Sequence, residues 1–347
     1  MLVKCHMKAA VIREANDVRV ESVPIPKIGR KEILVKMMAC GVCGTDIEKM
    51  RGEFITPPVL GHEAAGEIFA VGADVADFKV GERVLVHHHV PCHICHYCRH
   101  GSHTMCEEFQ RSNIDPCGFA EYFRVPEANV DRGAVLRLPN SVPFEEATLV
   151  EPTACCIRGI MKSGIQIADD VLVIGAGPIG LIQIQLLKLF GASRVFSTDV
   201  LGFRLQAAER FGADETINPR QEGMVESIKA MTEGRGVDVV IVATGATEAI
   251  LQALRSVRKG GTVNLFGAPH RGTSLSYDVS EIFIREISII PSYSATELET
   301  NIALKLLVSG RIDLRGLVTH RFRLDRVTDA VKYAAGGKDC LKVIVIP

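Results

Sequence analysis

Of net charge the sequence has almost none: 40 Lys and Arg stand against 41 Asp and Glu, leaving a formal −1. It has no Lys/Arg run and no acidic tail, so it offers no electrostatic footprint for a nucleic-acid backbone or an anionic membrane. A long apolar run is missing as well. The longest, residues 171–182, holds three glycines and a proline and stops at Gln183, well short of a bilayer span. The first ten residues, with Lys4, His6 and Lys8, lack the apolar block of a secretory signal. The expected location is therefore the cytoplasm, and residues 1–6 read as a leader before a first strand that opens at Met7. Repeats and low-complexity segments are absent too. What remains is a soluble, globular composition, 47% hydrophobic and 23% charged, whose expected partners are small molecules rather than nucleic acid or membrane. At 347 residues the chain is about twice the usual single-domain size, which predicts two domains.

The rhythm of the sequence changes part-way along. Up to about residue 150, short Val/Ile-rich runs at residues 9–13, 33–38, 65–71, 83–86 and 120–125 alternate with Gly and Pro, predicting a β-rich domain with long loops. From residue 170, six apolar strands (residues 171–174, 194–198, 215–217, 237–243, 262–266 and 287–291) alternate with helix-length segments such as 179–190, 203–211 and 248–257. That alternation predicts an α/β domain with a doubly wound parallel sheet. Beyond Pro291 come a helix with Leu298, Ile302, Ala303, Leu306 and Leu307 expected on one face, and a last strand at residues 341–346. These final residues are too few for a third core, so they are expected to pack back on the first domain. The expected division is residues 1–152 with 292–347, and residues 153–291.

Gly175-Ala176-Gly177-Pro178-Ile179-Gly180 follows the strand at 171–174 and opens a helix, the context in which such glycines hold a dinucleotide. Gly175 permits the tight turn, Gly177 lets backbone approach a pyrophosphate, and Gly180 lets helix and strand pack closely, with the helix N-terminus facing the phosphate charge. Asp199, 24 residues after Gly175, ends the second strand where a carboxylate receives ribose hydroxyls and repels a 2′-phosphate. NAD is thus favoured over NADP, with Arg204 the residue that speaks for NADP. Thr244 and Gly267, at the ends of the fourth and fifth strands, are expected to line the same crevice. The competing reading makes the glycines a mere tight turn and Asp199 a surface cap.

Eleven cysteines without an export signal suggest thiols and metal rather than disulfides. Cys92, Cys95, Cys98 and Cys106 follow Cys-x2-Cys-x2-Cys-x7-Cys, compact enough to converge on one tetrahedral zinc. Four sulfurs close the shell, so this site should brace a loop rather than perform chemistry. His93, His96, His100 and His103 are surplus to it and read as solvated.

Three further segments are weak alone: Gly41-Val42-Cys43-Gly44-Thr45-Asp46, Gly61-His62-Glu63 and Glu151-Pro152. Together with the glycine motif and the four-cysteine loop, over essentially the whole chain from Met7, they resemble the zinc-containing medium-chain alcohol dehydrogenase family. Glu151-Pro152 matches its sorbitol (polyol)/threonine dehydrogenase branch. The resemblance implies a GroES-like catalytic domain split around a Rossmann domain, two zinc ions per subunit, NAD, and a dimer or tetramer in which the apolar edge at 287–291 pairs across subunits. It implies Cys43, His62 and Glu63 as catalytic-zinc ligands, with Glu151 ligating or hydrogen-bonding the metal-bound water. Asp46 would orient His62, Lys342 would pair with Glu63 when that carboxylate leaves the metal, and Thr45 would take the substrate's hydroxyl proton. Where the family often continues this relay through a histidine, the sequence has Glu48.

Substrate signals are thinner. His89 matches a His-x-x-Cys feature of threonine dehydrogenases, but the segment after Cys43 lacks that group's His and Trp, and the chain has no tryptophan at all. A polyol or other secondary alcohol comes first, threonine second, simple alcohols third. The rival from another class is a catalytically silent NAD-binding protein; it would be expected to lose Cys43, His62 or Thr45, and all three are present. Their presence also disfavours a zinc-free quinone reductase.

Overall fold

A computed structural model describes residues 5–53, 60–336 and 339–347. Among these the chain forms fifteen strands: β1 (His6–Glu14), β2 (Asp17–Pro24), β3 (Ile33–Gly41), β4 (Glu63–Val71), β5 (Arg83–Val86), β6 (Tyr122–Val125), β7 (Val135–Arg137), β8 (Asp170–Ile174), β9 (Arg194–Thr198), β10 (Glu215–Ile217), β11 (Val237–Val242), β12 (Val257–Leu265), β13 (Ser288–Pro291), β14 (Val318–Arg323) and β15 (Lys342–Ile346). They divide between two compact units, one of residues 1–154 with 295–347, the other of residues 155–294. The leader expected at residues 1–6 lies mostly outside the described residues, and β1 opens one residue before Met7.

In the first unit, β1 and β2 form an antiparallel hairpin, and the main sheet runs β14-β15-β3-β4-β5-β7 with β6 also paired to β3. The centre of that sheet carries the Val/Ile-rich runs. Ile33, Val35, Met37, Ile68, Val84, Phe119 and Phe123 are fully buried in one core, and Val343 and Val345 of the last strand join them. Antiparallel pairing of β15 with β3 returns the C-terminal segment to the first unit.

In the second unit, the order β10-β9-β8-β11-β12-β13 is parallel throughout, the doubly wound arrangement that alternating strands and helices predict. Strand order reverses between β8 and β11, and the glycine loop leaves β8 at that switch point.

The helix Glu297–Val308 departs from its expected face. Ala303 and Leu307 are buried, but Leu298 and Ile302 are half exposed, and Glu297, Glu299 and Thr300 face inward instead. Polar contacts explain the rotation. Glu299 accepts from the Thr296 amide in a capping box, and Glu297 pairs with His93 at 2.9 Å.

Candidate active site and metal centres

The four-cysteine loop folds on itself around one point. The ligand atoms of Cys92, Cys95, Cys98 and Cys106 all lie within 4.8 Å of one another, and the buried ring of Phe109 packs against them. Cys92 Sγ and Cys98 Sγ are 4.0 Å apart, non-bonded, and close to the edge of about 3.8 Å that two sulfurs make on a tetrahedral zinc. The Cys95 amide donates to Cys92 Sγ at 3.3 Å, and the Cys92 amide to Cys106 Sγ at 3.3 Å. Amide donation, that of Ile94 foremost, lowers the Cys92 thiol to about 7, whereas burial pushes Cys98 up to about 12. All eleven cysteines are free thiols. Of the surrounding histidines, His93, His96 and His100 are exposed, as expected; His93 also pairs with Glu297, and His96 and His100 rest against each other, ring centroids 4.2 Å apart.

A second convergence lies in the same unit. Cys43 caps the helix Gly44–Met50, His62 ends the loop before β4, and Glu63 is the first residue of β4; their ligand atoms lie within 4.8 Å of one another. Asp46, fully buried, ties the two segments together. Its Oδ2 accepts the Cys43 amide at 2.9 Å and its Oδ1 accepts the Gly61 amide at 2.7 Å. Asp46 stands 3.8 Å from His62 Nδ1, a charge contact rather than a hydrogen bond, so it fixes the backbones that carry the ligands more than the imidazole itself. Burial disfavours a charged His62, but the Cys43 sulfur, Asp46 and Glu151 outweigh it and raise the imidazole to about 10.

Glu63 and Lys342 are 1% and 5% exposed, so each needs the other. Lys342 Nζ donates to Glu63 Oε1 at 2.7 Å; it also lies 2.5 Å from Oε2, but off the hydrogen-bond direction, which leaves Oε2 buried without a hydrogen-bond donor. The pair fits only because residue 41 is glycine: a Cβ there would sit 1.9 Å from Glu63 Oε2. Glu151, buried, groups within 4.8 Å of His87 and His88. Thr45 Oγ1 lies 3.9 Å from Cys43 Sγ, and Glu48 accepts from Arg51 at 3.0 Å. His89 Nδ1 is 2.5 Å from the Ser112 carbonyl oxygen. Buried His87 and His88, which the triple-His run could not rank against His89, are the residues at this site that sequence reasoning missed.

Residues 29–135 match the alcohol dehydrogenase GroES-like domain family, and residues 178–309 match the zinc-binding dehydrogenase family. The chain is 35% identical to a sorbitol dehydrogenase of Bacillus subtilis, over 99% of this chain and 98% of that one. It is 34% identical to D-arabinitol dehydrogenase 1 of Uromyces fabae (99% and 97%) and 33% identical to an L-threonine 3-dehydrogenase of Symbiobacterium thermophilum (94% and 93%). The chain belongs to the zinc-containing medium-chain alcohol dehydrogenase family. It is an oxidoreductase of CH–OH donors. Among solved structures, one described as a zinc-binding dehydrogenase from Sinorhizobium meliloti bound to NADP superposes with a TM-score of 0.90 at 32% identity, covering 99% of each chain. 2R,3R-butanediol dehydrogenase from Bacillus subtilis superposes at 0.86 with 28% identity, over 98% of this chain and 99% of that one.

In the second unit of this dehydrogenase, the glycine loop has the form the fingerprint requires. Gly175 has φ +104°, Gly177 caps the helix Pro178–Leu189, and a Cβ on Gly180 would lie 1.9 Å from the Gly175 carbonyl oxygen. Ile179 continues that helix. A Cβ on Gly267 would meet the Thr244 backbone at 2.4 Å, so the ends of β11 and β12 lie against each other. Asp199 Oδ2 accepts the Ala176 amide at 3.0 Å and Oδ1 the Leu201 amide at 2.9 Å, leaving lone pairs on both oxygens for a ribose. Arg204 Nη1 stands 3.6 Å from Asp199 Oδ2.

Zinc entering the Cys43 pocket must displace the proton that His62 otherwise keeps up to about pH 10. Affinity of the chelator-stripped dehydrogenase for zinc should therefore rise with pH, by about tenfold per unit per displaced proton between about pH 7 and 9. A competition titration against a fluorescent chelator checks this, and a flat profile contradicts it.

Proposed function

We propose that this chain oxidises a secondary hydroxyl of a polyol or sugar alcohol and passes hydride to NAD. One zinc would be held by Cys43, His62 and Glu63, and a second by Cys92, Cys95, Cys98 and Cys106. The observation that carries the reading is the convergence of a sulfur, an imidazole and a carboxylate within 4.8 Å of one another, with a second buried carboxylate, Glu151, acting on the same imidazole. Zinc in that pocket would lower the pKa of a substrate hydroxyl as a Lewis acid, and NAD at the glycine loop would accept the hydride. The alcohol thus loses one hydride and one proton.

Thr45 Oγ1 takes that proton and gives up its own. Arg51, ion-paired with Glu48 at the surface, competes for that carboxylate and disfavours it as the next link. Glu151, whose charge reaches both His62 and Lys342, is the next acceptor and the alternative ligand to Glu63. Lys342 would hold Glu63 in place, by its 2.7 Å hydrogen bond, when that carboxylate is off the metal.

The relatives named for sorbitol and D-arabinitol, which align over almost the whole chain, favour a polyol. Threonine is second, supported by relatives named L-threonine 3-dehydrogenase; simple alcohols are third. Asp199, fixed by two amides, favours NAD. NADP is kept as a second reading by Arg204, which lies beside that carboxylate, and by the NADP bound in the Sinorhizobium meliloti structure. Eleven free thiols suit a reducing cytoplasm. A second copy of the chain is the proposed cover for the edge around β13, where Val279, Phe283, Ile284, Ile289 and Tyr293 are exposed; a dimer or tetramer follows.

With sorbitol, threonine and isopropanol each offered with NAD or NADP, absorbance should show NADH formation greatest with sorbitol and NAD. Cys43→Ser should lower turnover by several orders of magnitude while leaving NAD affinity intact, and activity that survives this change contradicts the reading. In sedimentation velocity at micromolar concentration the chain should run as a dimer or larger, whereas a monomer overturns the proposed edge pairing.

A further inference from the structure

Three consecutive histidines follow β5, and their partners set them apart. His87 is satisfied on both sides: Nε2 lies 3.0 Å from the Ala295 carbonyl oxygen and Nδ1 lies 3.3 Å from Thr300 Oγ1. His89 Nδ1 is occupied by the Ser112 carbonyl, and its ring packs on Phe109 of the four-cysteine lobe at 4.9 Å. His88 is different. It is 7% exposed, its Nδ1 is buried, and among the described residues that atom has no hydrogen-bond partner. Its ring centroid lies 4.8 Å from that of His62 and 4.0 Å from that of His89, and one of its nitrogens falls within the Glu151 group.

A buried ring nitrogen left unpaired is costly, and such atoms in native structures are almost always matched by a ligand or a water. With both nitrogens of His87 engaged, the His87–His88–Glu151 group cannot supply three free ligands for a further metal. A ligand hydroxyl, however, can donate or accept, and so satisfies Nδ1 in either tautomer. We propose that His88 is a specificity-determining residue whose Nδ1 hydrogen-bonds a hydroxyl of the substrate other than the one being oxidised. This rests on the dehydrogenase reading above. It would select a polyol over a monohydric alcohol: a substrate without the second hydroxyl leaves Nδ1 unpaired, a loss worth at least about tenfold in kcat/KM.

The test compares the zinc-loaded wild type with His88→Leu and His88→Asn, whose amide nitrogen stands near the position of Nδ1. In His88→Leu the ratio of kcat/KM for sorbitol to that for isopropanol should fall about tenfold or more, mostly through a higher KM for sorbitol. His88→Asn should restore most of the ratio, and zinc content by atomic absorption should match the wild type in both. Calorimetric titration of sorbitol onto the protein–NADH complex, which cannot turn over, should show the same weakening. An equal loss for both alcohols, loss of a zinc from His88→Leu, sorbitol affinity unchanged by that variant, or no sorbitol binding by the wild type would each overturn the proposal. If the wild type binds sorbitol but oxidises neither alcohol, the dehydrogenase reading fails, and the calorimetric comparison still decides the role of His88.

Discussion

Neutralising charge inside the first unit is the constraint on which the site depends. Glu63 and Lys342 are buried together, 279 positions apart in sequence, and either one alone would carry an uncompensated charge in a low-dielectric interior, a loss of about 3–5 kcal/mol. The pairing needs the first residue of β15 to meet the first residue of β4 across β3, so the C-terminal strand must return to the sheet that the N-terminal third of the chain builds. Gly41 on β3 supplies the space between them.

The same accounting shapes the ligand pocket. Asp46 accepts one amide on each carboxylate oxygen, one beside each ligand segment, and so ties a helix start and a loop into a single bracket. At His62 the Cys43 sulfur, Asp46 and Glu151 outweigh burial and drive the imidazole towards its protonated form, while Glu63 and Cys43 do the same for buried Lys342. The four-cysteine lobe is a separate answer to a similar problem. It has little apolar core beyond Phe109, and a shell closed by four sulfurs can stand in for one.

Much of this was legible in the sequence wherever the signal was local. The six parallel strands and the helices between them follow from hydrophobic period and Gly placement, and the structure shifts their bounds by only a residue or two apart from β12, which starts five residues earlier. Three strands escaped notice: β2, whose apolar alternation breaks at Glu21-Ser22; β7, only three residues long; and β14, a polar strand of alternating exposure. The four cysteines announce themselves by spacing, whereas Cys43, His62 and Glu63 gain meaning only from a family pattern, since each alone is an ordinary residue. Asp46 as a backbone bracket and the inward turn of His88 depend on contacts between distant segments, and no periodicity encodes these. The helix Glu297–Val308 misled because its apolar residues are plentiful on two faces, and the polar anchors of Glu297 and Glu299 decided which face turned inward.

We propose that one chain holds two chemically distinct zinc environments, one closed by sulfur and one mixed. Zinc-edge X-ray absorption of the metal-saturated protein tests it most directly. The account predicts two zincs per chain, with a scattering shell of sulfur at about 2.3 Å and a clear nitrogen and oxygen shell at about 2.0–2.1 Å that disappears in Cys43→Ser with loss of one zinc. A single zinc per chain with a sulfur-only shell would contradict it.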